Sequence, residues 1–463
     1  MQLSFLTILG MAATLTLIFA VGIYAGKKVT GGQDFNTGSN MNVPMVAGSL
    51  VGTLVGGAST IGTAQLAFHY GFSAWWFSLG GGIGLLVMAA FFAKPMYNSH
   101  LVTLPQVLTR EYGKKIATTA AILMSIGTFM SIVSQLLSGA ALVTSVCSLP
   151  TAAAVAIVVV LMIVYVVFGG AWGAGMVGIV KTVLLYIATF ACGIVSLKLA
   201  GGLDGFTSSL PADRYFNLFA RGYWKDGGAG ASVVFGVLTT QAYILPVVSA
   251  RSLKVSRTGA VMGGIMTIVV GLAGVFVGLY MRIYMPDTDA SAVLPQFVLN
   301  CLPDFIGGVI LATLLIALVG TGSGLVLGIS SMLCNDIFKA LLRPNATSKE
   351  CLRFSRLTIV VILAIATLFG VGGAGSLILS WSVLSMGLRG AVTFAPLCFA
   401  LFSPGRISRK FVAAAIVAGP LLVVIGAFIL PDYIDPLFLG MGGSLLICLA
   451  GWLQGTSKKL KTF

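Results

Sequence analysis

Long apolar stretches, separated by short polar segments, set the rhythm of the chain. A helix that crosses a membrane needs about 20 consecutive apolar residues. Thirteen stretches reach that scale: 4–25, 45–70, 74–97, 117–147, 150–168, 174–198, 229–248, 259–285, 305–334, 357–375, 377–402, 411–430 and 436–454. The narrowest separation lies within 357–402, where Gly372, Gly373 and Gly375 mark the turn. The pattern predicts an all-α polytopic membrane protein of thirteen spans, forming one domain over residues 1–463.

Composition agrees. Hydrophobic residues make up 58% of the chain and charged residues 8%, against roughly 25% charged in a soluble domain. The net charge of +15 would suggest nucleic acid in a soluble protein, but membrane proteins collect Lys and Arg in cytoplasmic loops. With an outside N-terminus, the thirteen spans place 20 of the 27 basic residues inside and five outside. This asymmetry predicts a multi-pass protein of the cell membrane with a cytoplasmic C-terminus. The first stretch has no basic residue before it and Lys27 and Lys28 after it, the reverse of a signal peptide. The seven cysteines lie in or beside apolar stretches and suggest no disulfide framework.

No Asp or Glu falls within a predicted span, so Lys181 and Arg389 are the only charges expected in the membrane. Enzymatic hydrolysis has no carboxylate or histidine cluster to work with, because His69 and His100 are predicted on opposite sides. An enzyme and a nucleic-acid partner are therefore not expected; the partners are the bilayer and a small solute.

Several motifs resemble the sodium:solute symporter family, and they occur in order along nearly the whole chain. They are GIYAGKKVTGGQDFNTGSNMNVP (22–44), AQLAFHYG (64–71), TLPQVLTREYGKK (103–115), LPVVSARSLKVSRTG (245–259), LVLGISSMLCNDIFK (325–339) and PLCFALFSPGRISRKFVAAAIVAG (396–419). The resemblance implies a LeuT-type fold of five plus five core helices in inverted repeat. The repeats would be 45–198 and 229–402, with an extra N-terminal helix at 4–25 and two C-terminal helices over 411–454. It also implies cation-coupled symport of a small organic solute, an organic acid or amino acid, by alternating access. A membrane sensor is the remote alternative.

Transporters of this fold bind near the midplane, where helices are interrupted. The second span carries Gly52, Gly56 and Gly57, and the seventh carries GVLTTQAYILP, ending in Pro246. Polar residues near these breaks are the candidate solute ligands: Ser59, Thr60, Gln65, Gln135, Gln241 and Tyr243, with Trp381 and Arg389 on the eleventh span. Bonding between helices would equally hold such residues inside the bundle. Arg389 could attract a carboxylate or bond helix carbonyls.

For the coupling ion, the resemblance implies sodium held by carbonyls near Gly52 and Val55 and by Ala317, Gly320 and Thr321. The chain departs from the family pattern here. Gly320 replaces a serine, Val177 and Gly178 replace a Thr-Asp pair, and Lys181 stands at a glutamine position. In some proton-coupled transporters of this fold, a lysine on core helix 5 takes the place of sodium. Sodium is thus the family expectation, and a proton at Lys181 or uncoupled transport is the alternative. No other cofactor is expected.

Overall fold

A computed structural model describes residues 3–27, 41–99, 104–373 and 375–460, with backbone alone at 19, 21–27, 166–179, 336, 340, 341, 348 and 455–460. Most of the 22–44 motif and His100 lie outside the described residues, as do the side chains of Val177 and Gly178. The described chain is helical. In order, its helices are α1 (Phe5–Lys27), α2 (Val43–Leu54), α3 (Thr63–Tyr70), α4 (Trp76–Val87), α5 (Ala93–Asn98), α6 (Leu104–Tyr112), α7 (Lys114–Cys147), α8 (Thr151–Leu199), α9 (Leu203–Ser209) and α10 (Ala212–Tyr215). There follow α11 (Tyr223–Thr239), α12 (Gln241–Val248), α13 (Leu253–Tyr284), α14 (Val293–Cys301), α15 (Asp304–Met332), α16 (Ser348–Gly372), α17 (Ile378–Phe402), α18 (Arg409–Ile429) and α19 (Leu437–Leu460).

Among the described residues, nine helices are long and apolar enough to cross a membrane, or ten with α11 and α12 taken as one bent span. The shortfall from thirteen arises at three places. There the described residues give shorter apolar stretches: Phe5–Ile18 of α1, α2 apart from α3, and Thr151–Tyr165 of α8.

Helix α8 runs unbroken through the gap expected between 168 and 174. Its contacts show that it cannot be straight. Val158 and Leu318 meet at Gly139, Met162 reaches Gly322, and Ser323 Oγ donates to Met162 O at 3.3 Å. Further along α8, Lys181 bonds Thr321, and Ala188, Thr189 and Cys192 share a cleft with Leu314 and Ile310. The first half therefore follows α15 from 318 to 323, and the second retraces it from 321 to 310. A straight helix would hold residues 162 and 181 about 28 Å apart, so α8 reverses direction.

Two breaks interrupt the helical rods. The first lies between α2 and a π-helical turn, Ala58–Gly62: Val55 is extended, at φ −89° and ψ 96°. Glycine is required beside it. A Cβ on Gly57 would overlap Ser138, and one on Gly56 would stand 3.0 Å from Thr321 Oγ1. The second break bends α11 against α12 by 50° at Thr240, which is extended at φ −99° and ψ 123°. The break falls inside the expected stretch 236–246, and Pro246 at the end of that stretch sits within α12. Hydroxyls end the ladder earlier: Thr239 Oγ1 donates to Phe235 O at 2.7 Å, and Thr240 Oγ1 to Gly236 O at 2.5 Å. Such back-bonding competes with the helix's own bonds and bends it.

At one end of the bundle, a buried ion pair ties the α10–α11 loop to the α3–α4 turn. Asp226 is fully buried and accepts from Arg221 Nη2 at 2.6 Å and Ser73 Oγ at 2.7 Å. The turn itself depends on Gly71, at φ +56°, packed against the Tyr215 carbonyl. Substituting Gly71→Ala should lower the melting temperature of the purified protein more than Gly201→Ala. Both glycines have positive φ, costing about 1–2 kcal/mol for a residue with a Cβ. Only Gly71 also has a neighbour in the way, whereas Gly201 faces open space. Equal shifts in the two variants would show that the close approach does not matter.

Candidate functional site

Helix α7 carries Gly127, Ser131, Ser134, Gln135 and Ser138 on one face, at the 3.6-residue period. This face serves both breaks. At the first, Gln135 Oε1 accepts from Gly57 N at 2.9 Å, satisfying an amide that has no partner within its own helix. Ser59 Oγ accepts from Gly56 N at 2.9 Å, and Thr60 Oγ1 donates to Gly56 O at 2.9 Å. Ser134 Oγ donates to Ile378 O at 3.0 Å and accepts from Ser382 Oγ at 2.8 Å, fastening α7 to α17.

The second break is held by Arg389, which is 1% exposed. Its Nη1 donates to Thr240 Oγ1 at 2.8 Å, and its Nη2 to Ser385 Oγ at 3.1 Å and Ser131 Oγ at 3.3 Å. Nε donates to Ser385 O at 3.2 Å. Tyr243 is buried within electrostatic range of this guanidinium. Ser131 and Gln135 are one turn apart, about 6 Å along α7, so the two breaks face each other across a single turn.

Beside the first break lies the expected cation position. There the Lys181 ammonium donates to Gly52 O at 2.8 Å and to Thr321 Oγ1 at 3.2 Å. Lys181 is 4% exposed. Gly320 lies beside it: a Cβ built there would meet Lys181 Cδ at 3.5 Å and Nζ at 3.6 Å, ordinary contact distances. A sodium ion sharing these oxygens would stand about 4 Å from the ammonium. At an effective dielectric of 20 that repulsion is roughly 4 kcal/mol, a thousandfold in affinity, unless the lysine withdraws.

Not every candidate reaches this centre. Gln65 is buried but clamps the start of α17, accepting from Ile378 N at 2.8 Å and donating to Ser376 O at 3.2 Å. Trp381 Nε1 donates to Ser376 Oγ at 2.8 Å, and its ring packs on Phe369. Gln241 accepts from Leu104 N at 2.8 Å, at the start of α6. Val55 and Ala317 are buried, but the ammonium takes the Gly52 carbonyl. The sequence reading passed over Ser131, Ser138 and Ser382, although the spacing of Ser131, Ser134, Gln135 and Ser138 on α7 marks one helix face.

The sodium:solute symporter family model matches residues 35–419. The chain belongs to the sodium:solute symporter family. Members are transporters rather than enzymes. The chain is 24% identical to the sodium/pantothenate symporter of Escherichia coli, over 97% of each. It is also 24% identical to an uncharacterized symporter of Bacillus subtilis, over 94% of this chain and 87% of that one. Similarity extends to the high-affinity choline transporter 1 of Drosophila melanogaster, 22% identical over 76% of this chain and 60% of that one. Among solved structures, a Na+-coupled sialic acid symporter superposes with a TM-score of 0.79 at 16% identity, over 98% of each chain. Mhp1, a nucleobase-cation-symport-1 family transporter, follows at 0.58 and 12%. These likenesses establish the fold, the LeuT-type arrangement that the motifs implied.

Gln135 is the test of the first break. Gln135→Leu keeps the volume but leaves the Gly57 N–H buried without an acceptor, and should destabilise the purified symporter by about 1–3 kcal/mol in thermal or denaturant melting. Ser145→Ala, which loses only a bond to Ala141 O within its own helix, should stay within about 0.5 kcal/mol. Equal stability of Gln135→Leu and wild type would mean that the amide finds another partner.

Proposed function

We propose that this symporter carries a small organic solute by alternating access and that the Lys181 ammonium stands where the fold would otherwise seat a coupling cation. The carrying observation is the pair of bonds from Lys181 Nζ to Gly52 O and Thr321 Oγ1. On this reading transport does not require sodium at that position, and a proton on Lys181 is the coupling ion. The solute would lie between the two breaks, near Gly57, Ser59, Thr60, Gln135, Tyr243 and Arg389.

Family membership favours a second reading, sodium-coupled symport. The Gly52 carbonyl and the Thr321 hydroxyl are hard oxygen donors suited to sodium, and withdrawal of the lysine would free both.

With the function goes a topology of thirteen spans in the cell membrane, N-terminus outside, with repeats over 45–198 and 229–402. The reversal within α8 and the breaks in the second and seventh spans support it. So does the 20-to-five distribution of basic residues.

Uptake into proteoliposomes, with sodium and proton gradients imposed separately, decides between the ions. Wild type should respond little to sodium and accumulate solute under a proton gradient. Lys181→Gln should lose that accumulation. Strong sodium stimulation in the wild type at neutral pH, unchanged by the substitution, would sink the lysine reading and restore sodium symport.

The topology has its own check. Cysteines introduced at the exposed positions Thr258 and Asn345 should be labelled only from the cytoplasmic side, and one at Ser209 only from outside. Labelling of Thr258→Cys from outside would reverse the orientation.

A further inference from the structure

We propose that the solute is an anion whose carboxylate is received by Arg389 at the break between α11 and α12. This rests on the transport reading above and deepens it by naming the substrate class.

An arginine cannot shed its charge in a protein, so a buried guanidinium needs a counter-charge or a full set of acceptors. Arg389 has no counter-charge among the described residues. Among the described residues the ion pairs are Arg221–Asp226 and Arg343–Glu350, both elsewhere. Its partners are hydroxyls, one carbonyl and the Met386 thioether, with Nη2 to Sδ at 3.2 Å. A thioether is a weak acceptor. The Nη2 bonds of 3.1–3.3 Å are long for a charged donor, which normally settles at roughly 2.7–2.9 Å. Nη1 has one described partner, Thr240, for its two hydrogens, and it belongs to the group best shaped to grip a carboxylate with two parallel bonds.

The surroundings add to this. Thr240 occupies the N-cap position of α12 but does not cap it, because its hydroxyl is engaged by Gly236 O and Arg389. The positive end of α12 therefore lies beside the guanidinium. The negative end of α11 meets the same residue and offsets part of the charge, which is the purely structural service of Arg389. A neutral side chain would pin Thr240 as well, without burying a charge. The chain instead keeps room for the arginine: a Cβ on Gly127 would stand 2.9 Å from Arg389 Cγ. Lys181 is a second buried cation across the site, so the seam is positive. An organic acid of a few carbons would place its carboxylate at Arg389 and its body against Gln135 and Gly57.

The test is binding to the purified full-length protein in detergent, read as ligand-induced thermal stabilisation. The probes are pantothenate and lactate, each against its neutral alcohol or amide, with a wider panel of organic acids and with myo-inositol and choline. The stabilising probe should be a carboxylate, and its uncharged partner should bind roughly 30-fold more weakly or worse. Arg389→Gln should lose that discrimination while its unliganded melting stays cooperative. Arg389→Lys, which keeps the charge but not the fork, should bind with intermediate affinity, and carries the test if Arg389→Gln does not fold. The proposal is overturned if myo-inositol or choline is the best stabiliser, if no organic acid in the panel stabilises, or if the acid binds Arg389→Gln as tightly as wild type. Failure of the transport reading would look different: carboxylate-dependent stabilisation would persist while liposomes showed no gradient-driven uptake.

Discussion

Cutting a helix within hydrocarbon frees amides and carbonyls that no water can satisfy, and each one left alone costs several kcal/mol. The centre of this protein is arranged around that constraint. The polar face of α7 supplies partners to both interruptions. Gln135 takes the Gly57 amide, and Ser131 helps hold Arg389, which in turn holds Thr240. Glycine at 56 and 57 lets the interrupted backbone come close enough to be served. The breaks thus become a pair of fixed, facing polar surfaces, which is what a solute at the midplane of a symporter needs.

The same seam tolerates two cations without a carboxylate among its described contacts. Lys181 is held by the Gly52 carbonyl and the Thr321 hydroxyl, both placed there by the first break. Arg389 is held by Ser131, Thr240 and Ser385 at the second. Each charge sits where interrupted backbone or hydroxyls offer oxygen, so charge placement and helix interruption are one design.

Other polar groups in the spans do structural work. Gln65 and Trp381 both fasten the turn around Ser376, where Gly375 takes φ +85°. Gln241 holds the start of α6. They bond backbone or neighbouring side chains as interhelical glue, the commoner fate of a polar side chain between packed helices.

The sequence by itself determined the parts governed by run length, charge and motif order: an all-helical membrane chain, its family, and glycine at the first break. These follow from local chemistry, because hydropathy marks a span whatever it packs against. The same reading named Gln65, Gln241 and Trp381 as solute ligands beside the breaks. In a membrane bundle the lipid is as apolar as the core, so hydropathy does not reveal how each helix is rotated about its axis. Only the tertiary structure fixed those rotations. It brought Thr240 under Arg389, turned Gln241 toward α6, and folded α8 back along α15, because packing partners rather than sequence spacing decide which face of a helix meets which neighbour.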